Sequence, residues 1–381
     1  MKEVAIVGAG QSKFSRACGM RVPELAFEAF KEAMEQVKLT TDDIDASIIC
    51  SSLYDKQRSA EATISDYLDL APRPTFLVEN ACCASTSGVK LAWSLIKSGL
   101  HKIVAVIGVE KMSGQGSRET AEMMGRSYDI TWESSVGFTM PSGYALHARA
   151  YMANYGLTDE QLAKVRVKNS FYGAKNPKAA YQKPLSLEDI VQSEQVASPL
   201  KKFDCCANAD GASCIILTAA DIGRGVTETP VWIIGIGSGS DTQIARRTSY
   251  TSFRSVVTAA EQAYRMAGVR PGDIQVAEVH DCFTIAELIA YEDLGFCARG
   301  EAVKLIEGKE TYVEGKIPVN VDGGLLSKGH PVGATGGSQT RTIVKQLRGE
   351  MGETQVKDAN IGLVHNVGGV GHYCNVIIFS R

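Results

Sequence analysis

The sequence predicts an α/β fold in which one structural unit occurs twice along the chain. Short β-branched segments that end in glycine alternate with segments of helical periodicity, an order that is typical of helices packed on a sheet. The same order of segments returns in the second half of the chain. With 381 residues, the chain is also longer than one ordinary core requires, which favours two units.

In the first half, each element follows from a local pattern. β-Branched residues and a glycine stop predict the first strand, and apolar residues that share one helical face predict the first helix. Pro23 falls in the first turn of that helix, where proline is tolerated. The predicted elements are a strand over 4–7, a helix over 23–37, a strand over 46–50, a helix from 82 to 95 and a strand over 103–108.

The second half repeats these elements in the same order. Aligning Asp43-Ile44 with Asp273-Ile274 brings the two sets into register. The corresponding elements are a strand over 231–237, a helix over 256–267, a strand over 276–279, a helix from 333 to 347 and a strand over 361–364. Strand–helix–strand order predicts mainly parallel sheets that are covered by helices.

A polar segment rich in glycine and serine separates the halves and contains a helical piece near 145–155. We expect the first domain to comprise 1–112 together with about 206–228, and the second domain to comprise 229–381. The segment 113–205 is expected to be an insertion that shapes a substrate groove, although a purely structural excursion is nearly as consistent with its length.

Composition argues against several classes of protein. The formal net charge of −3 provides no global basic field, so nucleic-acid binding has little support. The chain has neither a signal-peptide pattern at its start nor a run of about 18 apolar residues, so we expect a cytoplasmic protein that does not enter a membrane. The ten cysteines include no CxxC pair and are expected to be reduced thiols, with no metal bound.

A dinucleotide-binding loop is an alternative interpretation of Gly8-Ala9-Gly10. Lys13 stands where such a loop has its third glycine, and no acidic residue ends the second strand at Cys50. We therefore expect no nicotinamide cofactor.

Two segments place reactive side chains at the ends of strands. Cys82 stands at a strand-to-helix junction, where the helix dipole favours thiolate, although most cysteines at such junctions are inert. His280, Asp281 and Cys282 end the strand over 276–279, at the edge of a sheet where α/β enzymes place their active sites. A buried structural His–Asp pair is an equally good interpretation.

Two further segments are rich in glycine. His330 lies within 323–336, where the many glycines indicate that other backbone or ligand atoms approach closely. Asn366-Val367-Gly368 follows a strand, and exposed N–H groups there suit either an anion-binding nest or a tight turn. Cys205-Cys206 is interpreted as packing rather than chemistry.

Together these segments resemble the thiolase superfamily, and in particular its sterol-carrier-protein-2 type with the bacterial and archaeal acetyl-CoA acetyltransferase-like relatives. His280-Asp281-Cys282-Phe283 and the segment 324–336, which contains Gly329-His330-Pro331, are highly specific for that subgroup. The resemblance extends from the first strand to the last, over 374–380. It implies the thiolase fold, in which duplicated βαβ halves form a five-layered αβαβα sandwich with a large loop insertion.

The resemblance also implies a role for each motif residue. Cys82 matches the acyl-accepting nucleophile, His330 the base that activates it, and Cys282 the second cysteine, which acts as acid and base. His280 and His330 would donate to the thioester oxygen. Backbone N–H groups at Cys82 and around Val367-Gly368 would hold the oxyanion of the tetrahedral intermediate.

The chain departs from the family pattern at the nucleophile. The family usually has a single cysteine followed by Ser/Thr-Gly, whereas this chain has Cys82-Cys83-Ala84-Ser85. Counting without a gap from both flanking strands places Cys82 at the nucleophile position, and matching Cys83 instead needs a shift of one residue. We favour Cys82, with Cys83 as the alternative, and expect an acyl pocket of altered shape because Ser85 replaces the usual glycine.

The function that the resemblance implies is cleavage of a 3-oxoacyl-CoA by coenzyme A, or the reverse Claisen condensation, in the degradation of a fatty or aromatic acid. Coenzyme A would be a co-substrate, and no permanently bound cofactor is expected. The alternatives are a non-thiolytic relative (a synthase, acyltransferase or retro-aldolase) and a non-catalytic acyl-CoA-binding subunit of a complex. The resemblance further implies a homodimer or tetramer, and some relatives require a small zinc-binding OB-fold partner.

Overall fold

The computed structural model of the chain describes residues 3–52, 57, 59–114 and 116–381. Its strands are β1 (Val4–Gln11), β2 (Ala46–Cys50), β3 (Thr75–Val78), β4 (Ile103–Glu110), β5 (Gln195–Ala197), β6 (Leu200–Lys201), β7 (Gly211–Ala219), β8 (Val231–Ser240), β9 (Val276–Glu278), β10 (Ile361–Gly368) and β11 (Tyr373–Ser380). Its helices are α1 (Val22–Met34), α2 (Ala60–Tyr67), α3 (Ala84–Lys97), α4 (Ser117–Gly125), α5 (Met140–Tyr155), α6 (Asp159–Gly173), α7 (Leu187–Val191), α8 (Ala220–Val226), α9 (Arg254–Ala267), α10 (Thr284–Asp293), α11 (Ala302–Glu307), α12 (Gly324–Lys328) and α13 (Thr335–Arg348).

The central sheet shows the duplication that the sequence predicts. Its strand order is β3-β2-β4-β7-β1-β8-β11-β10-β9, and the halves meet where β1 pairs with β8. Counting outward from that junction, β1, β7, β4 and β2 correspond to β8, β11, β10 and β9. Val319 forms a parallel bridge with Ala277 in β9, so it takes the place that β3 holds beside β2.

The prediction of mainly parallel sheets is wrong for the strand pairings. The strands that are joined through helices run parallel, as β2 does with β3 and β4, and β9 with β10. However, the last strand of each half runs the opposite way and inserts between two of the others: β7 pairs antiparallel with β4 and β1, and β11 with β10 and β8. The helical crossovers correctly predict that the strands they connect run parallel. They do not predict the direction or the position of the inserted strands β7 and β11.

Five layers result from the helices that cover and separate the half-sheets. Helix α1 packs on β1, β4 and β7, and α9 packs on β8 and β11. Helices α3 and α13 contact each other and lie between the half-sheets, which explains why α13 is almost entirely buried although its sequence is polar. The five-layered sandwich implied by the resemblance is therefore confirmed.

Glycines in corresponding strands allow these helices to lie directly on the sheet. A Cβ atom at Gly10 would collide with Ala29 O of α1, and one at Gly237 would collide with Ala259 O of α9. Close packing of strand on helix thus accounts for Gly8-Ala9-Gly10.

The segment between β4 and β7 contains α4 to α7 and the β5–β6 hairpin, so it is more ordered than its polar composition indicates. The helix predicted near 145–155 is α5, which begins earlier, at Met140. Helix α6 was not predicted, because it is buried on several sides and has no single apolar face. None of the helices in the described part of the chain is long and apolar enough to span a lipid bilayer.

Candidate active site

Cys82 lies between β3 and α3 and faces a cavity of about 220 Å³. Cys282 and His330 line the same cavity, and the helices α4 and α5 close one side of it. The remaining lining is largely apolar. The lining residues are Cys82, Thr120, Ala121, Met124, Met140, Pro141, Tyr144, Cys205, Cys206, Asn208, Cys282, Phe283, His330 and Gly369.

The structure brings three of the predicted residues within reach of one another. The sulfur of Cys82 and one ring nitrogen each of His280 and His330 all lie within 4.8 Å of one another, and all three residues are buried. The two imidazole rings meet edge to face, with centroids 5.2 Å apart. A thiol with an imidazole base within reach is the arrangement in which a cysteine can act as a nucleophile.

Cys83 faces away from this cavity. Its thiol donates to Asn80 O at 3.2 Å and lies 3.9 Å from Ser87 Oγ, and the side chain is fully buried. Of the two adjacent cysteines, Cys82 is therefore the one that faces the histidines.

A hydrogen bond to Thr335 determines which nitrogen of His330 carries the proton. The Thr335 hydroxyl donates to Pro331 O at 3.0 Å and lies 2.7 Å from His330 Nδ1. Because the hydroxyl has a single proton, it accepts from His330 Nδ1–H, and Nε2 is left with a free electron pair. No described residue forms a hydrogen bond with that Nε2. Nε2 of His330 can therefore accept a proton.

His280 has the opposite arrangement. The Asn366 side chain is oriented with Nδ2 2.9 Å from His280 Nδ1, and its Oδ1 accepts from the Thr86 hydroxyl at 2.9 Å. Nδ1 of His280 is then an acceptor, and Nε2 carries the proton. Within the described residues this Nε2 also forms no hydrogen bond. Nε2–H of His280 can therefore donate a hydrogen bond.

Burial keeps the resting site uncharged. Desolvation raises the pKa of the Cys82 thiol to about 12, although a hydrogen bond from the Gly369 backbone opposes this shift. Desolvation lowers the pKa of His330 to about 3, and it lowers the pKa of His280 well below its usual range with help from the neighbouring His330. Burial therefore opposes the thiolate that the helix dipole at the start of α3 is expected to favour.

Cys282 lies against Tyr144, which the motifs did not indicate. The Tyr144 hydroxyl donates to Gly369 O at 3.1 Å. Tyr144 and Cys282 line the same cavity, and Tyr144 lowers the pKa of the Cys282 thiol against the larger, opposite effect of burial. Its ring stacks on Phe283, with centroids 4.5 Å apart. Burial raises the pKa of Cys282 well above that of a free thiol. Tyr144 belongs to α5, so the insertion contributes a polar group to the site.

Gly369 lines the cavity with Cys82, whereas the predicted backbone residues Asn366, Val367 and Gly368 are not part of its lining. The structure places Asn366-Val367-Gly368 in β10, with Val367 and Gly368 paired to β11. Gly369 follows in the left-handed conformation, with φ of +62°, and its N–H points to the Cys82 sulfur. The oxyanion role of Val367-Gly368 stays a prediction, and Gly369 is a further donor that adjoins them.

Asp281 joins the loop of His280 to the glycine-rich loop of His330. Its carboxylate accepts from the backbone N–H groups of Leu325 and Leu326, at 2.7 and 3.2 Å, and from Asn169 Nδ2 at 2.7 Å. Burial raises the pKa of this carboxyl. Since Asn169 lies in α6, the Asp281 side chain links the segment between β4 and β7 to the loops of His280 and His330.

The segment around Cys205-Cys206 packs between the same loops. Cys205 forms a β-bridge with Phe283, and the Cys206 N–H donates to Cys282 O at 2.9 Å. Both side chains line the cavity, and all ten cysteines are free.

Cys82, His280 and His330 also have the spacing of metal ligands. In the described part of the chain, they form the one group of His, Cys, Asp and Glu side chains close enough to hold an ion. Thiolate and imidazole suit zinc, but binding would occupy the very atoms that a thiol nucleophile and its base must keep free.

Comparison with known proteins agrees with this architecture. Residues 4–221 match the model of the thiolase N-terminal domain, and residues 237–381 match that of the thiolase C-terminal domain-like family. An acetyl-CoA acetyltransferase of Methanothermobacter thermautotrophicus is 39% identical over the full length of both chains. The benzoylsuccinyl-CoA thiolase subunit BbsB of Thauera aromatica is 32% identical, and the alignment covers 97% of this chain and 95% of the Thauera protein. Bovine sterol carrier protein 2 is 31% identical over 96% of this chain and 70% of that protein.

Solved structures show the same fold. The Ltp2–ChsH2(DUF35) aldolase superposes with a TM-score of 0.87 at 27% identity, covering 100% of this chain and 98% of that chain. Human mitochondrial 3-ketoacyl-CoA thiolase superposes with a TM-score of 0.76 at 16% identity. The superposition covers 100% of this chain and 99% of the human chain.

A duplicated five-layered sandwich with a thiol and two imidazoles at its centre defines a class of acyl-transferring enzymes. The chain belongs to the thiolase family and is an acyltransferase.

Proposed function

We propose that the chain is a thiolase that cleaves a 3-oxoacyl-CoA with coenzyme A, or runs the reverse Claisen condensation, through an acyl group on Cys82. The observation that carries this proposal is the approach of the Cys82 sulfur to within 4.8 Å of two buried imidazole nitrogens. His330 has a free electron pair on Nε2, and His280 has a proton there. The site therefore combines a base with a group that can donate a hydrogen bond to a substrate oxygen.

In the first half-reaction, the Cys82 proton moves to His330 Nε2 and the thiolate attacks the 3-oxo carbon. Proton transfer replaces two neutral groups by an ion pair, which suits a site in which burial opposes an isolated charge. The N–H groups of Cys82 and Gly369 would hold the oxyanion. As the carbonyl reforms, the bond between the α- and β-carbons breaks, and the acyl group remains on the sulfur.

The departing fragment is the enolate of acetyl-CoA, whose oxygen is held by His280 Nε2–H. Cys282 donates its proton to the α-carbon, which releases acetyl-CoA and leaves a thiolate at Cys282. That thiolate removes the proton from coenzyme A, which then attacks the acyl group on Cys82. Cys82 leaves as a thiol with the proton from His330, so both cysteines and the histidine return to their starting forms.

Apolar side chains from Met124, Met140 and Phe283 line the cavity beside Cys82, and this lining supports an apolar acyl group as the substrate.

We also propose a homodimer that forms through β3. This edge strand pairs with β2 on one side, and its other edge has no strand partner among the described residues. Phe76 and Leu77 on it are 38% and 52% exposed, which is unusual for apolar residues in an unpaired edge strand of a monomer. A small zinc-binding OB-fold subunit is a second proposed partner, supported by the complex named in the aldolase structure and by the subunit designation of the Thauera relative.

The direct test is an assay of wild-type chain with coenzyme A and a series of straight, branched and aromatic 3-oxoacyl-CoA thioesters. We expect thiolysis of at least one member by wild type and by Cys83→Ala, and none above background by Cys82→Ala. No thiolysis of any member, or equal rates in wild type and Cys82→Ala, would contradict the proposal.

A retro-aldolase is the second candidate, and the specific observation in its favour is the superposition on the Ltp2–ChsH2(DUF35) aldolase. Cys282 favours the thiolase, because deprotonation of coenzyme A requires a second base in addition to the one that serves Cys82. Full thiolytic activity in Cys282→Ala, or cleavage of a 3-hydroxyacyl-CoA without coenzyme A, would favour the aldolase.

A further inference from the structure

A line of polar side chains crosses the second half-sheet and ends at His280. Ser238 in β8 lies opposite Asn375 in β11, and Asn375 lies opposite Asn366 in β10. His280 follows β9, the next strand of the sheet. Side chains of residues that lie opposite each other project to the same face, so these groups form one row across four strands.

Helix α3 completes the row with two residues one turn apart. Lys90 Nζ donates to Ser238 Oγ at 2.8 Å, and Thr86 Oγ1 accepts from Asn375 Nδ2 at 3.1 Å. Residues four apart lie on the same face of a helix, which is why both side chains reach the same row. Lys90, Ser238 and Asn375 line a surface cavity, whereas Thr86 is fully buried.

In every hydrogen bond of this row, the donor lies on the Lys90 side and the acceptor on the His280 side. Beyond the lysine ammonium, Ser238 Oγ donates to Asn375 Oδ1 at 2.5 Å, and Asn375 Nδ2 donates to Thr86. Thr86 Oγ1 donates to Asn366 Oδ1, and Asn366 Nδ2 donates to His280 Nδ1, both at 2.9 Å. Such a chain polarises each of its members in the same sense, and it begins at a cation that can only donate.

Two further acceptors lie beside the row. Asn375 Nδ2 also donates to Ser87 Oγ at 2.9 Å, and its two protons allow it to serve both Ser87 and Thr86. Thr86 Oγ1 is also 3.0 Å from Cys83 O, and a hydroxyl turned fully to that carbonyl would require the Asn366 amide to reverse. Asn366 Oδ1, however, lies against Gly336 in the first turn of α13. The positive end of a helix dipole favours an oxygen over an NH₂ group at that place, so the observed amide orientation is the stable one.

We propose that this chain of hydrogen bonds fixes the tautomer of His280, so that Nδ1 is an acceptor and Nε2 carries the proton that serves the substrate oxygen. Lys90, Ser238, Asn375 and Thr86 are then positioning residues, which act on the reaction only through Asn366 and His280. The effect of these residues on catalysis rests on the proposed function, whereas their effect on the tautomer of His280 is independent of it.

The tautomer is measured by nitrogen NMR on the full chain labelled with ¹⁵N-histidine, because protonated and unprotonated ring nitrogens resonate far apart. The His280 signals are assigned by their absence in His280→Gln. In wild type we expect Nε2 protonated and Nδ1 bare at pH 7. A proton on Nδ1 of His280 would overturn the proposal.

Variants at the two ends of the row test the cause. Thr86→Val keeps the shape of the side chain but removes the hydroxyl, and Thr86→Ser restores it. We expect Thr86→Val to shift His280 toward the other tautomer and to lower kcat about tenfold with little change in KM, less than the roughly hundredfold or greater loss on removing an oxyanion donor outright. Thr86→Ser is expected to resemble wild type.

At the solvent end, Lys90→Met is expected to cause a smaller shift in the same direction. Lys97→Met, in the last turn of the same helix, is the matched control and should leave the His280 signals unchanged. Wild-type tautomer populations in both Thr86→Val and Lys90→Met would overturn the proposal. If the tautomer shifts in these variants but the wild-type protein catalyses no thiolysis, the proposal about the row of hydrogen bonds stands and the proposed function is contradicted.

Discussion

The Thr335 hydroxyl lies 2.7 Å from His330 Nδ1 and gives its own proton to Pro331 O, so the free electron pair of this imidazole is on Nε2. A ring nitrogen of His330 lies within 4.8 Å of the Cys82 sulfur. Thr335 is the first residue of α13, and His330 precedes it by little more than one turn. The orientation of the proposed base is therefore determined locally, within the glycine-rich loop itself.

Removing that hydroxyl should weaken the base without unfolding the loop. In Thr335→Val, Nδ1 of His330 loses its acceptor, and the Nε2-protonated tautomer becomes accessible. We expect kcat for thiolysis to fall by about tenfold to a hundredfold, and Thr335→Ser to retain activity. Steady-state kinetics with unfolding midpoints for both variants check this. If kcat falls equally in Thr335→Ser, the Thr335 hydroxyl is not the group that orients His330.

The pH dependence of Cys82 alkylation follows from its raised pKa. A thiol with a pKa of about 12 is neutral from pH 7 to 10, and His330 with a pKa of about 3 is neutral over the same range. The alkylation rate at Cys82 should therefore rise about tenfold per pH unit throughout, with no levelling near 9, where a free thiol approaches full ionisation. Iodoacetamide labelling followed by peptide mapping measures this rate, with glutathione as the reference.

A plateau in that profile below pH 8 would mean that a thiolate–imidazolium pair already exists in the resting enzyme. The structure predicts instead that this pair forms only when substrate is bound.

Replacing Cys282 should separate the two chemical roles. Cys282→Ala retains Cys82 and His330 but lacks the group that exchanges protons with the α-carbon and coenzyme A. We expect kcat for thiolysis to fall at least a hundredfold while the acyl group of a simple acyl-CoA still transfers to Cys82. Cys206→Ala, beside it in the same cavity, is the matched control and should remain active within a few fold.

Oligomeric state provides a test that is independent of chemistry. If β3 pairs with its copy, wild-type chain should elute with twice the mass of a monomer in light scattering, and Leu77→Lys should shift it toward the monomer because like charges would meet across the new sheet. Leu100→Lys, at an exposed leucine after α3, controls for the added charge. A wild-type monomer at micromolar concentration would contradict the proposed dimer.

Particular residues show how much the sequence could predict. The duplication was predictable because Asp43-Ile44 and Asp273-Ile274 mark equivalent turns, and strands and helices of each half keep their periodicities. Cys82, His280, Cys282 and His330 were predictable because they lie in short motifs at strand ends, and the structure brings all four to one cavity or its wall.

Other features depend on tertiary contacts that no local pattern records. Tyr144 lies in a helix with no motif, and only the packing of α5 over the cavity brings its hydroxyl to Cys282. Thr335 was within the glycine-rich motif, but its role depends on a side-chain geometry that a motif does not specify. The sequence indicates the helix dipole at Cys82, which is a local feature, but not the burial that raises the pKa of this thiol, because burial depends on the whole fold.

The central claim is that Cys82 carries the acyl group, and the most direct test is the mass of the trapped intermediate. Wild-type chain is mixed with a 3-oxoacyl-CoA that it cleaves, quenched in acid, digested and mapped by mass spectrometry at the peptide that contains Cys82-Cys83, with fragmentation to separate the two. The account predicts an acyl adduct on Cys82 that disappears when coenzyme A is added, and none in Cys82→Ala. An adduct on Cys83, or turnover without any adduct on Cys82, would contradict it.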